Sequence, residues 1–128
     1  MGSKKVEGYM INLDLTFQEI AENSWQINDE GKGLEKIIVI YEEPLVIIRV
    51  KVMKLPDTNL VELYETLLKY NASDLIHGAY ALEGDHVILI DSLESASMDL
   101  EEFQASLDAI GLALAQHYPI LSKYRNKK

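Results

Sequence analysis

Apolar residues recur with two different periods along the chain, and each change of period marks a predicted helix or strand. Spacings of three and four residues predict helices over 4–22, 60–71 and 99–117. Alternating or β-branched runs predict strands over 25–28, 34–42, 45–54, 76–83 and 86–94. The predicted order is therefore α-β-β-β-α-β-β-α. A length of 128 residues suits a single domain over 1–128.

Turn and capping residues set the predicted ends of these elements. Glu43-Pro44 and Gly84-Asp85 each join two predicted strands, and Gly84-Asp85 is a favoured two-residue hairpin turn. Asn59 and Asp99 each stand three residues before a glutamate, which is the spacing of a capping box at a helix start. Pro119 disfavours helical geometry at the preceding residue, so we expect the last helix to kink there and the tail to restart as a short turn.

The strand predicted over 34–42 is apolar on both of its faces, because every residue from 37 to 41 is apolar. The next strand has Val46, Ile48, Val50 and Val52 on one face and Ile47, Arg49, Lys51 and Met53 on the other. Either a partner, a second subunit or the curl of the sheet itself covers the second face, or long side chains such as Arg49 and Lys51 cover it. The candidate partner contacts are Ile38, Ile40, Ile47 and Met53.

The formal charge of −9 is unevenly distributed along the chain. Residues 70–122 contain nine acids and no Lys or Arg, whereas the rest of the chain balances 12 acids with 12 bases and ends in a basic tail, 123–128. An acidic balance argues against nucleic-acid binding, which needs a basic surface. The acidic stretch is interpreted either as a solubilising surface or as a field that steers a basic partner.

Histidines and serines are present, but their spacing in the sequence does not match that of known metal-binding or catalytic motifs. A hairpin across Gly84-Asp85 places His77 and His86 six residues of register apart, about 20 Å at 3.3 Å per residue, too far to share a metal ion. His117 falls on the apolar stripe of the last helix, where a core or interface histidine is expected. No serine lies in a nucleophile elbow, and 31–33 lacks the spacing of a phosphate-binding loop. We therefore predict no catalytic residue, metal or cofactor.

The cellular setting is predicted from what the composition lacks. The chain contains no Cys, which suits a reducing compartment. Its longest apolar runs are of strand length, far below the 18 or more residues of a membrane span. We expect a cytoplasmic protein that contacts no membrane.

Several apolar segments together resemble a known family. They are 63–71 (LYETLLKYN), 78–82 (GAYAL), 87–90 (VILI), 98–103 (MDLEEF), 112–115 (LALA) and Tyr118-Pro119, with Trp25 upstream of a glycine-bearing turn and a strand. In these segments the chain resembles the YbjN family, whose fold is that of the type III secretion chaperones. The resemblance spans nearly the whole chain.

That resemblance implies an α+β fold with a twisted antiparallel sheet covered by helices, and a tendency to form homodimers. It implies a non-catalytic protein-binding module that holds or regulates a protein partner through apolar surface, because secretion chaperones bind extended segments of their clients in this way. The family has no defined catalytic or ligand-binding residues to transfer. The alternative is a small-molecule sensor or enzyme-associated subunit with a pocket between helices and sheet.

Overall fold

The computed structural model describes residues 2–125, which form three α-helices and one six-stranded antiparallel sheet. The helices are α1 (Gly2–Asn12), α2 (Leu60–Ser73) and α3 (Leu100–Leu121). The strands are β1 (Phe17–Ala21), β2 (Ser24–Asp29), β3 (Leu34–Glu42), β4 (Leu45–Lys54), β5 (Ala79–Glu83) and β6 (His86–Glu94). Their order across the sheet is β1-β2-β3-β4-β6-β5, so β1 and β5 form its edges. The α+β class and the predicted order are confirmed, with one strand added after α1.

The added strand replaces the second half of the helix predicted over 4–22, and this prediction was wrong. Helix α1 ends at Asn12, and Asp14 takes a left-handed φ of 57° that turns the chain. Strand β1 follows and pairs with β2, with Phe17 opposite Ile27. Hydrogen bonding to β2 outweighs the helical spacing of Phe17 and Ile20, because tertiary contacts override a local pattern.

Both predicted hairpins are present. Glu42 pairs with Leu45 across Glu43-Pro44, and Glu83 pairs with His86 across Gly84-Asp85. Gly84 has a φ of 59°, a conformation that glycine adopts without the steric cost other residues meet. The Gly84-Asp85 turn therefore places its two strands in the predicted register.

The helices α2 and α3 begin where the capping residues predict, but only one of the two predicted capping boxes forms, and α3 extends past its predicted end. At α3 the capping box forms, since Asp99 Oδ1 accepts from the Glu102 backbone N–H at 2.7 Å and Glu102 Oε1 accepts from the Asp99 N–H at 3.1 Å. At α2 the Asn59 side chain makes no capping hydrogen bond. Helix α3 continues through Pro119 to Leu121, because the proline removes only one backbone bond near the end and Leu121 packs in the core.

All three helices contribute to one hydrophobic core on one face of the sheet. The buried helix residues include Val6 and Met10 of α1, Leu63 and Leu67 of α2, and Phe103, Leu107 and Ile110 of α3. They pack against Trp25, Ile27, Ile37, Val39, Val46, Ile48, Val50, Val87 and Leu89 of the sheet. Since side chains alternate along a strand, the residues between these point to the opposite face, which no helix covers in residues 2–125. We call it the open face.

Candidate functional site

The open face carries a patch of isoleucines in the middle of the sheet. In one row, Ile38 lies opposite Arg49, Arg49 opposite Ile90, and Ile90 opposite Ala79. In the next row, Ile40 lies opposite Ile47, which lies opposite Ser92. Paired residues of neighbouring strands point to the same side, so these isoleucines form one surface. None of them belongs to the helix-covered core.

One isoleucine of this face is covered by a charged side chain. Ile88 is 4% exposed, yet it is absent from the helix-covered core. Arg49 on β4 forms an ion pair with Glu83 on β5, and β6 lies between those two strands, so the arginine side chain crosses the open face over β6. Long side chains thus cover part of the face, whereas Ile38, Ile40 and Ile47 keep partial exposure.

Positive charge dominates around this ion pair. The hydrogen bond from Arg49 is the strongest influence on the Glu83 carboxyl and lowers its pKa, while loss of hydration, the second influence, acts in the opposite direction. The charges of Arg49, Lys51 and His86 lower the pKa further. At this end of the open face Arg49, Lys51 and Lys54 outnumber Glu83 and Asp85 by one positive charge, in a chain whose net charge is −9.

Three of the four predicted contact residues, Ile38, Ile40 and Ile47, lie on the open face. The fourth does not: Met53 is 5% exposed and belongs to the helix-covered core. Lys51 pairs with Ile88 and Met53 pairs with Val87, so β4 uses two residues where β6 uses one. This β-bulge moves every later residue of β4 to the other face, which simple alternation does not anticipate.

A second apolar surface, which the sequence reasoning missed, lies on α2 and the neighbouring edge strand. Val61, Leu68 and Leu82 are 82%, 67% and 49% exposed. Together with Tyr64 they form what we call the α2–β5 surface. The sequence contains a signal for it, because Val61, Tyr64, Leu68 and Ala72 follow one another at helical spacing beside the buried stripe. Apolar residues on more than one side of a helix predict two buried contacts.

The edge of β5 is blocked to further strands at its centre. The Tyr80 backbone N–H donates to Asn71 Oδ1 at 2.7 Å, and Asn71 Nδ2 donates to the Tyr80 carbonyl at 3.1 Å. An edge strand normally offers these groups to a new strand. The Asn71 amide takes that place, so a neighbour at the α2–β5 surface meets side chains there.

The buried His117 links three elements. Its Nδ1 lies 2.7 Å from Tyr80 Oη and its Nε2 lies 3.2 Å from Asp74 Oδ2, while its ring stacks on Tyr70 at 3.6 Å. At 3% exposure it is the satisfied core histidine that the sequence predicts. Burial raises the pKa of Tyr80, with the negative charges of Tyr70 and Asp74 adding to the shift, so its hydroxyl stays protonated.

Two recesses lie between helices and sheet, where the small-molecule alternative requires a pocket. One of about 320 Å³ opens beside Lys51, Tyr118 and Arg125, whose guanidinium already donates to the Val52 carbonyl at 3.1 Å. The other, of about 310 Å³, is lined by Tyr64, Leu67, Leu68, Asn71, Tyr80, Ala81 and Leu82. Both are open to solvent. The second is almost wholly apolar, whereas the first is lined by the polar side chains of Glu35, Lys51, Tyr118 and Arg125 as well as by apolar residues. An open recess holds a small ligand less well than the enclosed pockets that usually bind one.

The acids of 70–122 lie mostly away from the open face. Asp91 points to the helix-covered side and accepts from Ser106 Oγ at 2.6 Å. Asp99, Glu101, Glu102 and Asp108 lie at the start of α3 and along it. Of the predicted basic tail, Lys127 and Lys128 lie outside the described residues. Within residues 2–125 there is no group of three or more side chains placed to hold a metal ion, and no helix long and apolar enough to cross a membrane.

Comparison with known proteins gives a family and a fold. The CesT_Tir_1 family model matches residues 2–127. The structure is similar to E. coli YbjN, with a TM-score of 0.68 and 12% identity over 92% of both chains. It is also similar to the type III secretion chaperone SycH of Yersinia pestis, crystallised with a fragment of YscM2 (TM-score 0.63, 15% identity, 91% of this chain and 98% of that chain).

A chain of the heterodimeric ExoU–SpcU complex from the type III secretion system of Pseudomonas aeruginosa has a TM-score of 0.64 and 12% identity over 89% of this chain and 95% of that chain. Identities this low establish the shared fold alone. No curated protein sequence matched significantly.

Proposed function

The chain belongs to the CesT_Tir_1 family, the type III chaperone family, and we therefore propose that its single domain is a non-catalytic, cytoplasmic module that holds or regulates a protein partner as a homodimer. Two of the similar structures are complexes between proteins: SycH with a fragment of YscM2, and the ExoU–SpcU heterodimer. The proposal extends that kind of role to this chain.

The observation that carries the proposal is the open face. A single-layer sheet in water normally presents polar residues on its uncovered side, whereas Ile38, Ile40, Ile47 and Ile90 lie together on this one. Burial of such residues stabilises a complex by about 25 cal/mol per Å² of apolar surface. An extended partner segment laid across these strands would contact the rows of isoleucines with its alternate side chains.

A non-catalytic role is supported by how the polar side chains are used. The buried serines donate to carboxylates, Ser95 Oγ to Glu43 Oε1 at 2.7 Å and Ser106 Oγ to Asp91 Oδ2 at 2.6 Å. The buried His117 is held between Tyr80 and Asp74. These groups hold secondary-structure elements together, and none of the serines is bonded to a histidine that would activate it.

Partner capture with matched variants tests the module. The tagged full-length chain and its Ile40→Thr/Ile47→Thr variant are expressed in the source cell, and co-purifying proteins are quantified by mass spectrometry. Threonine keeps the preference for strands and removes apolar surface. We expect the partner to be lost from this variant and retained by Leu112→Thr, which changes a residue that is 57% exposed on α3. Full retention by the double variant would contradict the role of the open face.

For the homodimer we propose the α2–β5 surface as the interface. Its residues protrude from a rigid helix beside an edge strand that Asn71 blocks, so a symmetric contact between two copies of α2 buries them without extending the sheet. Val61 and Leu68 are among the most exposed large apolar residues described. Their burial in a dimer removes apolar side chains from water.

Sedimentation velocity tests the dimer. We expect the unmodified chain to sediment as a dimer and Leu68→Asp to sediment as a monomer, because a buried interface carboxylate costs about 2–4 kcal/mol, a loss of roughly 30-fold to 1,000-fold in affinity. The control Leu112→Asp makes the same change on α3 and should leave the dimer intact. A monomeric unmodified chain at high concentration would overturn the homodimer.

A further inference from the structure

From the charges of the open face we propose that the partner segment is acidic as well as apolar: an extended stretch in which branched apolar side chains cover Ile40 and Ile47 and a carboxylate meets Arg49 and Lys51. This inference rests on the proposed function. It reverses the expectation from the net charge, which favours a basic partner.

The first step is the distribution of charge along the strands. At one end of the open face, Glu42 and Glu94 flank Leu45, each opposite it in the register. The other half carries cations at Arg49, Lys51 and Lys54, with Lys54 opposite His86. The isoleucine rows lie between, so the apolar patch has an acidic border and a basic border about 20 Å apart, six residues at 3.3 Å.

The second step is the charge that a ligand meets at the basic border. Glu83 is the carboxylate paired with Arg49, and its pKa is lowered by both Arg49 and Lys51. Lys54 lies 3.9 Å from Asp85 at the hairpin turn. At the basic border Arg49, Lys51 and Lys54 therefore face the two carboxylates Glu83 and Asp85, and a carboxylate from a ligand balances the remaining positive charge.

The third step is the electrostatic effect that the acidic residues of the helix layer have at the open face. Asp99, Glu101, Glu102 and Asp108 lie on α3, on the other side of the sheet. These four carboxylates are exposed to solvent on the far side of the helix layer, and through solvent at physiological salt charges are screened over about 8 Å. The acids of α3 therefore act weakly at the basic border of the open face, where the nearby Arg49 and Lys51 have the larger influence on which ligand charge is favoured.

Selection from a phage-displayed random peptide library on the immobilised full-length chain, at physiological salt, tests this inference. We expect enriched peptides to combine branched apolar residues with Asp or Glu. A synthetic peptide of the enriched sequence should bind the Arg49→Gln/Lys51→Gln variant about fivefold to tenfold more weakly. The control Lys4→Gln/Lys69→Gln removes the same charge from the helix-covered side and should change affinity less than twofold, about 0.4 kcal/mol.

Three outcomes separate this inference from the proposed function. In the first outcome, the enriched peptides bind the Ile40→Thr/Ile47→Thr variant more weakly, but they are basic or bind the Arg49→Gln/Lys51→Gln variant with unchanged affinity. This outcome overturns the acidic segment and leaves the proposed binding module uncontradicted. Peptides that bind the isoleucine variant unchanged overturn the open face as a binding surface, and the acidic segment with it. A selection that enriches nothing counts against both.

Discussion

The open face and the α2–β5 surface both expose apolar side chains, but they differ in shape and in charge. On α2, Val61 and Leu68 protrude from a helix and are 82% and 67% exposed. On the open face the isoleucines stand in a sheet between charged neighbours and are only partly exposed. Protruding residues on a rigid helix suit one fixed partner, such as a second copy, whereas a flat patch bordered by charges suits an extended segment. Exposure alone therefore does not identify the partner.

Removing the Asn71 amide should have the largest effect, because it is what separates the α2–β5 surface from an open strand edge. Asn71→Ala leaves the Tyr80 N–H and carbonyl without their partner and should lower the free energy of unfolding by about 2–3 kcal/mol. It should also expose a strand edge that promotes aggregation. Urea denaturation and light scattering measure the two effects, with exposed Asn12→Ala as control. Unchanged stability would show that Asn71 does not protect the edge.

Loosening the support beneath the α2–β5 surface should have the next largest effect. Tyr80→Phe removes the hydroxyl that lies 2.7 Å from His117 Nδ1, and leaves a buried ring nitrogen unpaired. We expect a loss of about 1–2 kcal/mol in the free energy of unfolding. Tyr118→Phe, which changes an exposed tyrosine on α3, should cost far less. Equal effects of the two changes would remove the structural role assigned to the His117 contacts.

Removing the Arg49 side chain should increase the exposed apolar area of the open face while changing the stability of the fold very little. Arg49→Ala removes the side chain that crosses β6, so Ile88 becomes exposed beside the other isoleucines. The expected result is increased fluorescence of an apolar dye with a nearly unchanged unfolding midpoint, since exposed ion pairs contribute little. Lys69→Ala, which removes a cation that pairs with Glu65 on α2, serves as the control. No increase in dye binding would mean that Arg49 does not cover Ile88.

The smallest effect concerns pH at the same ion pair. Because the pKa of Glu83 is lowered in the folded chain, its contribution is present above the ordinary glutamate pKa and is lost as the pH falls through the lowered value. Ile88 should therefore become more exposed only at a pH below the ordinary glutamate range, where Glu83 becomes protonated in the folded chain. Carboxyl chemical shifts followed by NMR should give Glu83 a lower midpoint than in Arg49→Gln. Identical midpoints would contradict the pairing.

Predictions from the sequence were correct where the interacting residues are close in the chain and wrong where they are distant in the chain. The Gly84-Asp85 hairpin and the Asp99–Glu102 capping box depend on residues close in the chain, and both are present. The first helix was overextended because pairing with β2 decides the fate of 17–21. Met53 was placed on the wrong face because the bulge exists only in the pairing of β4 with β6.

The α+β class, the register of the Gly84-Asp85 hairpin, and the grouping of Ile38 with Ile40 and of Val46, Ile48 and Val50 on single strand faces could be deduced from the amino-acid sequence. These follow from period and turn geometry, which are local properties of the chain. Tertiary structure alone decided that β6 lies between β4 and β5, so that Arg49 reaches Glu83 across Ile88, and that Asn71 closes the β5 edge. Those contacts join residues nine or more positions apart, and their partners are set by strand order and helix packing.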